Sequence, residues 1–465
     1  MTKQTTDSTE ATDAVTGVVE TRSIEMIPLN ERTGKAGSLF GIWFGFNMVP
    51  LAAVVGAIGI TLGLPLWWTA LAVLIGNLLG GLTMGLHATQ GPRLGVPQML
   101  QARGQFGRRG ASLLVAAVVL VGIGFFSFNI VIATQAIQLV FDNISTVLSS
   151  TVLTLVSLVI ALIGYRLIRV TSAIVAAAVG LVVLAVIVLL LVGQGPHGSP
   201  AGQTGFSTAA FFTAIAVAGS WQVGFAPFVS DYSRYMPPGH GERKAFWGTY
   251  LGATCGATLM MALGAYLASR SPLADPMAAL HDGFGAFGAA VLVLFFVGVA
   301  LANTLNSYTA GLCALTVFET FRPGIVISPA WRNITLVLVH AVGLVLALAA
   351  SASFVETFLN FVTVLLYLLI PWSAINLTDY FLVRHGDYDV PSFFTASGGQ
   401  YGLWNSRAII AYLAGVIVQL PFLNTALYTG FLVDDLHGVD VAWIIGFVVP
   451  GLVYLGLSRR SADRP

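Results

Sequence analysis

Twelve long apolar runs fill most of this 465-residue chain, and its basic residues are sorted between them so strictly that the runs can be oriented. When the runs are threaded through a membrane in order, twenty of the twenty-one Lys and Arg residues fall on one side and only Arg270 on the other. Each run approaches the roughly twenty predominantly apolar residues that cross a bilayer. Lys and Arg near span ends collect in the cytoplasm, so an all-α, multi-pass protein of the plasma (inner) membrane with both termini cytoplasmic is expected. Composition agrees: 56% of residues are hydrophobic and 9% charged, against about a quarter charged in soluble domains. A net charge of +1 carries no signal for nucleic acid. The lipid bilayer and a small molecule are the expected partners, and a monomer is a plausible state.

The runs lie near 38–62, 66–88, 111–139, 147–165, 172–193 and 208–232, then near 245–268, 285–318, 334–350, 354–382, 406–423 and 440–458. Residues 1–35 read as a disordered cytoplasmic tail, because the first twenty are rich in Thr, Asp and Glu with no apolar core; no cleavable signal peptide is evident. Cys255 and Cys313 both fall inside apolar runs, which indicates neither a disulfide framework nor a zinc site. No phosphate-binding loop, metal-ligand cluster or nucleophile constellation points to an enzyme, and no cofactor is expected.

Two runs are interrupted. The first contains Gly45-Phe46-Asn47-Met48-Val49-Pro50 and the sixth Gly219-Ser220-Trp221-Gln222-Val223-Gly224-Phe225-Ala226-Pro227, with Asn47, Pro50, Gly219, Gly224 and Pro227 as the candidate breaks. Irregular backbone at membrane depth is tolerated where it lines a cavity or is buried in protein. Interrupted segments at corresponding positions of two halves point to an inverted-repeat transporter with its site between the repeats; two ordinary proline kinks are the alternative.

The third and eighth runs carry the other polar clusters: Phe125 and Asn129, four apart and so on one helix face, and Asn303, Asn306 and Tyr308. Amides donate and accept without charge, which suits a flat neutral heterocycle, and the faces of Phe125 and Trp221 could stack on it. Gln222 beside Trp221 joins this set. Interhelical packing by Asn and Gln is the competing reading. Ionisable groups near the membrane are few. Glu356, three residues after Ser353, fits a capping box. Asp231 and Arg234 fit a local ion pair or gate, Asp379 a loop anchor, and His340 either packing or a proton relay.

Several stretches carry a resemblance to the nucleobase:cation symporter-1 family. They are Ile24-Glu25-Met26-Ile27-Pro28 with Glu31-Arg32, Gln90-Gly91-Pro92 through Gly95-Val96-Pro97-Gln98 to Arg103-Gly104-Gln105-Phe106-Gly107, Ser230-Asp231-Tyr232-Ser233-Arg234-Tyr235, and Pro371-Trp372-Ser373-Ala374-Ile375-Asn376-Leu377-Thr378-Asp379-Tyr380-Phe381-Leu382-Val383-Arg384. The likeness runs from about residue 22 to 458 and is strongest to the purine-cytosine permease branch. It implies twelve transmembrane helices in a LeuT-type 5+5 inverted repeat plus two C-terminal helices. The repeats would cover 36–193 and 208–383, followed by a cytoplasmic loop at 384–405, helices 11 and 12 at 406–458 and a tail at 459–465.

The resemblance further implies a secondary active importer of cytosine or purines that works by alternating access. The base would sit between Phe125 and Trp221, with Asn129 and Asn303 or Asn306 reading its edge. Many relatives have tryptophan where this chain has Phe125, so another heterocycle (allantoin, a hydantoin, a vitamin B6 compound or a thiamine precursor) stays open; a channel or membrane sensor is the remoter alternative. Sodium or a proton would be the coupling ion. Backbone carbonyls near Phe44 and Asn47 are cation candidates, joined by Thr304, although the hydroxyl pair that sodium-using relatives carry on the eighth run is not plainly present.

Overall fold

The computed structural model describes residues 24–163, 165–197, 205–271, 274–322, 324–325, 327–350, 354–425 and 428–462. These residues are almost wholly helical. The main helices are α1 (Ala36–Phe46), α2 (Pro50–Thr61), α3 (Leu66–Ala88), α4 (Gln90–Leu94), α5 (Gln98–Phe106), α6 (Arg108–Gln138), α7 (Thr146–Ile163) and α8 (Tyr165–Leu191). They continue with α9 (Thr208–Phe225), α10 (Val229–Ser233), α11 (His240–Ser269), α12 (Pro276–Phe321), α13 (Pro329–Ala350), α14 (Phe354–Thr378), α15 (Ser406–Gln419) and α16 (Ala442–Ala462). Among the described residues nine helical segments are long and apolar enough to cross a membrane, and the bent pair α1 and α2 makes a tenth. The expected fifth span is α8, Tyr165–Leu191, and the expected eleventh is the shorter apolar helix Ser406–Phe422.

The first span breaks where the sequence places its amide and proline. Pro50 has no N–H and forces the residue before it out of the helical region; Val49 is extended at φ −125° and ψ 147°, and α2 starts at Pro50. The two halves meet at 61°. Of the candidate breaks in the sixth span only Pro227 lies at one: α9 runs unbroken through Gly219 and Gly224 to Phe225, Ala226–Phe228 forms a 3-10 turn around Pro227, and α10 resumes. Gly219 is therefore not a break. It lies within α9 at a close crossing with α3, where its Cβ would stand 3.4 Å from the Gly76 carbonyl oxygen. Residues 276–321 are two helices in series that turn at Gly285, whose φ is 53°.

Packing divides the spans into two bodies. Helices α1, α2, α3, α9 and α11 pack most extensively on one another, and α6, α7, α12 and α13 form a second group; α14, α15 and α16 lie together beside them. Small residues allow helix backbones to meet in lipid. A Cβ on Gly252 or Gly256 of α11 would stand 2.5 or 2.7 Å from the carbonyl oxygens of Phe40 and Phe44, and one on Gly264 would stand 1.9 Å from that of Ala53.

Residues 24–35, expected as the end of a disordered tail, are folded instead. Ile27 and Arg32 are buried. Ile27 N–H donates to the Gly95 carbonyl at 2.9 Å and Gly34 N–H to that of Tyr235 at 2.8 Å. The Arg32 guanidinium donates to the Ile27 and Pro92 carbonyls, both at 2.8 Å. Burying this apolar and basic segment against short helices was invisible to a composition argument dominated by the acidic residues before it. Cys255 is exposed and Cys313 buried, both as free thiols.

Candidate functional site

A buried hydrogen bond joins the two broken spans. Trp221, one turn before the end of α9, donates its indole N–H to Asn47 Oδ1 at 2.6 Å. Asn47 is held in turn by donating from Nδ2 to the Trp43 carbonyl at 2.7 Å. Both side chains are fully buried, so the break in the first span and the last turns of α9 fix each other.

Around this bond lies an aromatic cluster. Phe125 on α6 meets the Trp221 ring edge-on, with centroids 5.4 Å apart and planes at 83°. It stacks on Phe225 at 5.0 Å and 24° and touches Phe361 of α14 edge-on at 5.6 Å. Phe125 and Trp221 do not present parallel faces to each other. A planar ring between two faces needs roughly 7 Å, twice the van der Waals spacing, and these rings are closer and nearly perpendicular. The physical reason is that Phe225, four residues after Trp221 and so on the same helix face, occupies the stacking partner's position. Gly224 makes the approach of Phe125 feasible, since a Cβ there would lie 2.8 Å from Phe125 Cε2. Phe225 and Phe361 were missed in the sequence; the i, i+4 spacing from Trp221 was the available signal for Phe225, and nothing local marked Phe361.

Three of the predicted amides gather beside this cluster. Asn129 Nδ2 donates to Asn303 Oδ1 at 3.0 Å, and Asn303 Nδ2 donates to the Phe126 carbonyl at 3.0 Å. Asn129 Oδ1 and both polar atoms of Asn306 are buried with no hydrogen-bond partner. Such groups are uncommon in native interiors and call for an explanation, a ligand among them. Asn306 belongs to the same seam: a Cβ on Gly122, one turn before Phe125, would lie 3.4 Å from the Asn306 backbone oxygen. Gln222 faces elsewhere. It donates to Asn77 Oδ1 at 2.8 Å and to the Ala253 carbonyl at 3.0 Å, because one helical step past Trp221 turns it toward α3 and α11; it is packing glue rather than a neighbour of Phe125.

The cation candidates each make local hydrogen bonds. The Phe44 carbonyl accepts the Asn47 N–H at 3.2 Å, and the Thr304 hydroxyl lies 2.8 Å from the Ala300 carbonyl and 3.2 Å from that of Ser157 on α7. His340 bonds through Nδ1 to the Leu336 carbonyl at 2.8 Å and packs edge-on to Phe126. Glu356 is exposed, and Ser353, its expected capping partner, lies outside the described residues.

On the basic side lies a buried polar network. Gln98 on α5 donates from Nε2 to His87 Nδ1 at 3.3 Å and to Gln90 Oε1 at 3.1 Å, and accepts from the Ser230 hydroxyl at 2.6 Å. Its backbone N–H donates to Asp231 Oδ1 at 3.0 Å. His87 continues to Ser373 at 2.8 Å, and Gln90 donates to Asn376 Oδ1 at 2.6 Å. Arg234 donates from Nε to the Asp231 carbonyl at 3.3 Å and reaches the Glu25 carbonyl and the Tyr235 hydroxyl. Asp379 accepts from the Tyr388 and Tyr454 hydroxyls and pairs with Arg384 at 3.3 Å. Burial, with the Asp379 carboxylate adjacent, pushes the Tyr388 hydroxyl well above its ordinary pKa. Gln98, Gln101 and Gln105 recur at helical spacing, and every residue of α5 is buried.

With this geometry in hand, the comparisons with known proteins are specific. A family described as permeases for cytosine/purines, uracil, thiamine and allantoin matches residues 26–446. YxlA of Bacillus subtilis (strain 168), assigned as a purine-cytosine permease, is 37% identical over 443 residues, covering 95% of this chain and 96% of that protein. The purine-cytosine permease fcyB of Emericella nidulans is 25% identical, covering 94% and 88%. Among solved structures, Mhp1, a nucleobase-cation-symport-1 family transporter in a closed conformation with bromovinylhydantoin bound, aligns with a TM-score of 0.77 at 17% identity over 96% of each chain. The fold is the LeuT type.

Proposed function

Because this chain belongs to the family of permeases for cytosine/purines, uracil, thiamine and allantoin, we propose that it is a secondary active importer of a nucleobase, cytosine or a purine, driven by downhill entry of a proton or sodium ion. The observation that carries this reading is the set of unpartnered amide atoms on Asn129, one turn from Phe125, and on Asn306 in the same α6–α12 seam, together with the neutral aromatic cluster of Phe125, Trp221 and Phe225. A nucleobase edge offers the donors and acceptors those amides lack, and its ring offers a face to the aromatics without bringing charge into the membrane.

In this mechanism the base enters from outside, Phe125 leaves its stack on Phe225, and the base takes that face with Trp221 opposite. The body of α1, α2, α3, α9 and α11 then rocks against that of α6, α7, α12 and α13 to open the cytoplasmic path, with the repeats at 36–193 and 208–383 supplying one half of each body. The cation would bind carbonyls near Phe44 and Asn47 with Thr304 if it is sodium. A second reading is favoured by Phe125 itself: its face is smaller than a tryptophan's, which suits a smaller or less planar heterocycle such as allantoin or a hydantoin.

Thermal stability of the detergent-purified protein against cytosine, adenine, hypoxanthine, uracil, allantoin and hydantoin, with sodium or choline, tests both. A ligand that binds only the folded state raises the midpoint with concentration. Stabilisation by cytosine or a purine supports the proposal, and its loss in choline identifies sodium. Stabilisation by allantoin or hydantoin alone discards the nucleobase and keeps the site.

A further inference from the structure

We propose that α5 is the inner latch of the transporter: it is fixed to the body of α6 and α12 through an ion cluster and released from the body of α3 and α9 at Gln98 when the basic side opens. The inference rests on the reading of two bodies that move against each other.

Two faces of one short helix make opposite attachments. Arg103 donates to Glu319 Oε2 at 2.7 Å, to the Thr320 hydroxyl at 2.9 Å and to the Phe393 carbonyl at 2.7 Å. Arg108, two residues beyond the end of α5, reaches Glu319 Oε1 at 2.6 Å and the Thr395 carbonyl at 2.7 Å. Both arginines are buried. The chain reinforces this end, since only Gly107 separates α5 from α6, and the Phe106 carbonyl accepts the Asn405 N–H at 2.9 Å.

The other end is different in kind. Gln98 contacts His87 of α3, Gln90 of α4 and Ser230 of α10 through neutral side-chain hydrogen bonds, with a single backbone N–H on Asp231. Hydrogen bonds with an ionised donor or acceptor are roughly twice as strong as neutral ones; Gln98 has one such bond, from its backbone to Asp231, against the several made by Arg103 and Arg108, so a force separating the bodies breaks the glutamine contacts before the arginine cluster. The connection can also bend there: Gly95, at φ 70°, with Val96 and Pro97, is all that joins α4 to α5.

The seam beneath the latch contains a reporter. Tyr308, Thr309 and Leu312 of α12 face Asp231, Tyr232 and Arg234 across a small cavity, and the next residue, Cys313, is a buried free thiol. In a Cys255→Ala background in detergent, the rate at which a polar maleimide labels Cys313 reports opening at Gln98 and needs no substrate, so the result is independent of which heterocycle is carried. Gln98→Met, which keeps the side-chain length without the amide, is expected to raise the rate about tenfold, and Ser230→Ala severalfold. Glu319→Gln, measured well below its own melting midpoint, is expected to leave the rate within about twofold of the parent. If either latch variant fails to raise the rate, or if Glu319→Gln raises it as much, α5 is not released at Gln98 and the proposal is overturned.

Discussion

The indole N–H of Trp221 and the side-chain oxygen of Asn47, 2.6 Å apart, tie the two interrupted spans together at the depth of the aromatic cluster. Removing either partner leaves a buried polar atom unsatisfied, at a cost of about 1–3 kcal/mol. Trp221→Phe and Asn47→Ala are each expected to lower the thermal midpoint, and the double variant to fall short of the sum by a coupling of about 1 kcal/mol. Strictly additive losses would mean that the bond contributes nothing. Trp221→Ala is expected to abolish base binding in a protein that still inserts.

Gly224 is the residue that admits Phe125. A Cβ there would sit 2.8 Å from the ring, inside the 3.5–4.0 Å at which carbon atoms rest. Gly224→Ala should therefore weaken ligand binding about tenfold and reduce stability. Adding Phe125→Leu should restore the midpoint but not the affinity. Recovery of both by the double variant would exclude a stacking role for Phe125.

Asn306 is expected to trade stability against function. Both of its amide atoms are buried without partners, so an apolar residue of similar size removes a desolvation penalty of about 1 kcal/mol or more. Asn306→Leu should hold or raise the midpoint of the ligand-free protein and abolish its rise on adding the ligand. A destabilised variant that still responds to ligand would make Asn306 a packing residue.

The Glu319 carboxylate is shared by Arg103 and Arg108 at 2.7 and 2.6 Å. Burial pulls the Arg103 guanidinium below its ordinary pKa and Glu319 opposes that shift, so the cluster depends on its single acid. Glu319→Gln leaves two buried cations uncompensated and should cost about 3–5 kcal/mol, read as a lower midpoint in detergent. An unchanged midpoint would show that the carbonyls around the arginines suffice.

The membrane class and the two breaks could be read directly, because apolar length, proline and glycine act locally. Pro50 forces Val49 to be extended wherever the chain goes. In the sixth span Pro227 marked the break, whereas Gly219 and Gly224 serve contacts with Gly76 and Phe125 that only the packed structure creates. Asn129, Asn303 and Asn306 were visible as polar residues in apolar runs. Gln222 looked identical to them, and only its rotation about α9 sends it to Asn77. The network through His87, Gln98 and Asn376 was hidden for a different reason: polar residues between spans are ordinarily solvated, and nothing in the composition of 90–106 says that α4 and α5 fold back under the protein.

The bend in the first span is an elbow with no joint. Helix α11 lies against both halves, with Gly252 and Gly256 on α1 and Gly264 on α2 at backbone contact, so that neither half can swing without carrying the same neighbour. The 61° angle is therefore braced by a third helix rather than left to the break itself. What the interruption supplies is a patch of peptide groups partway along an apolar span, held in place by a neighbour that packs across both halves.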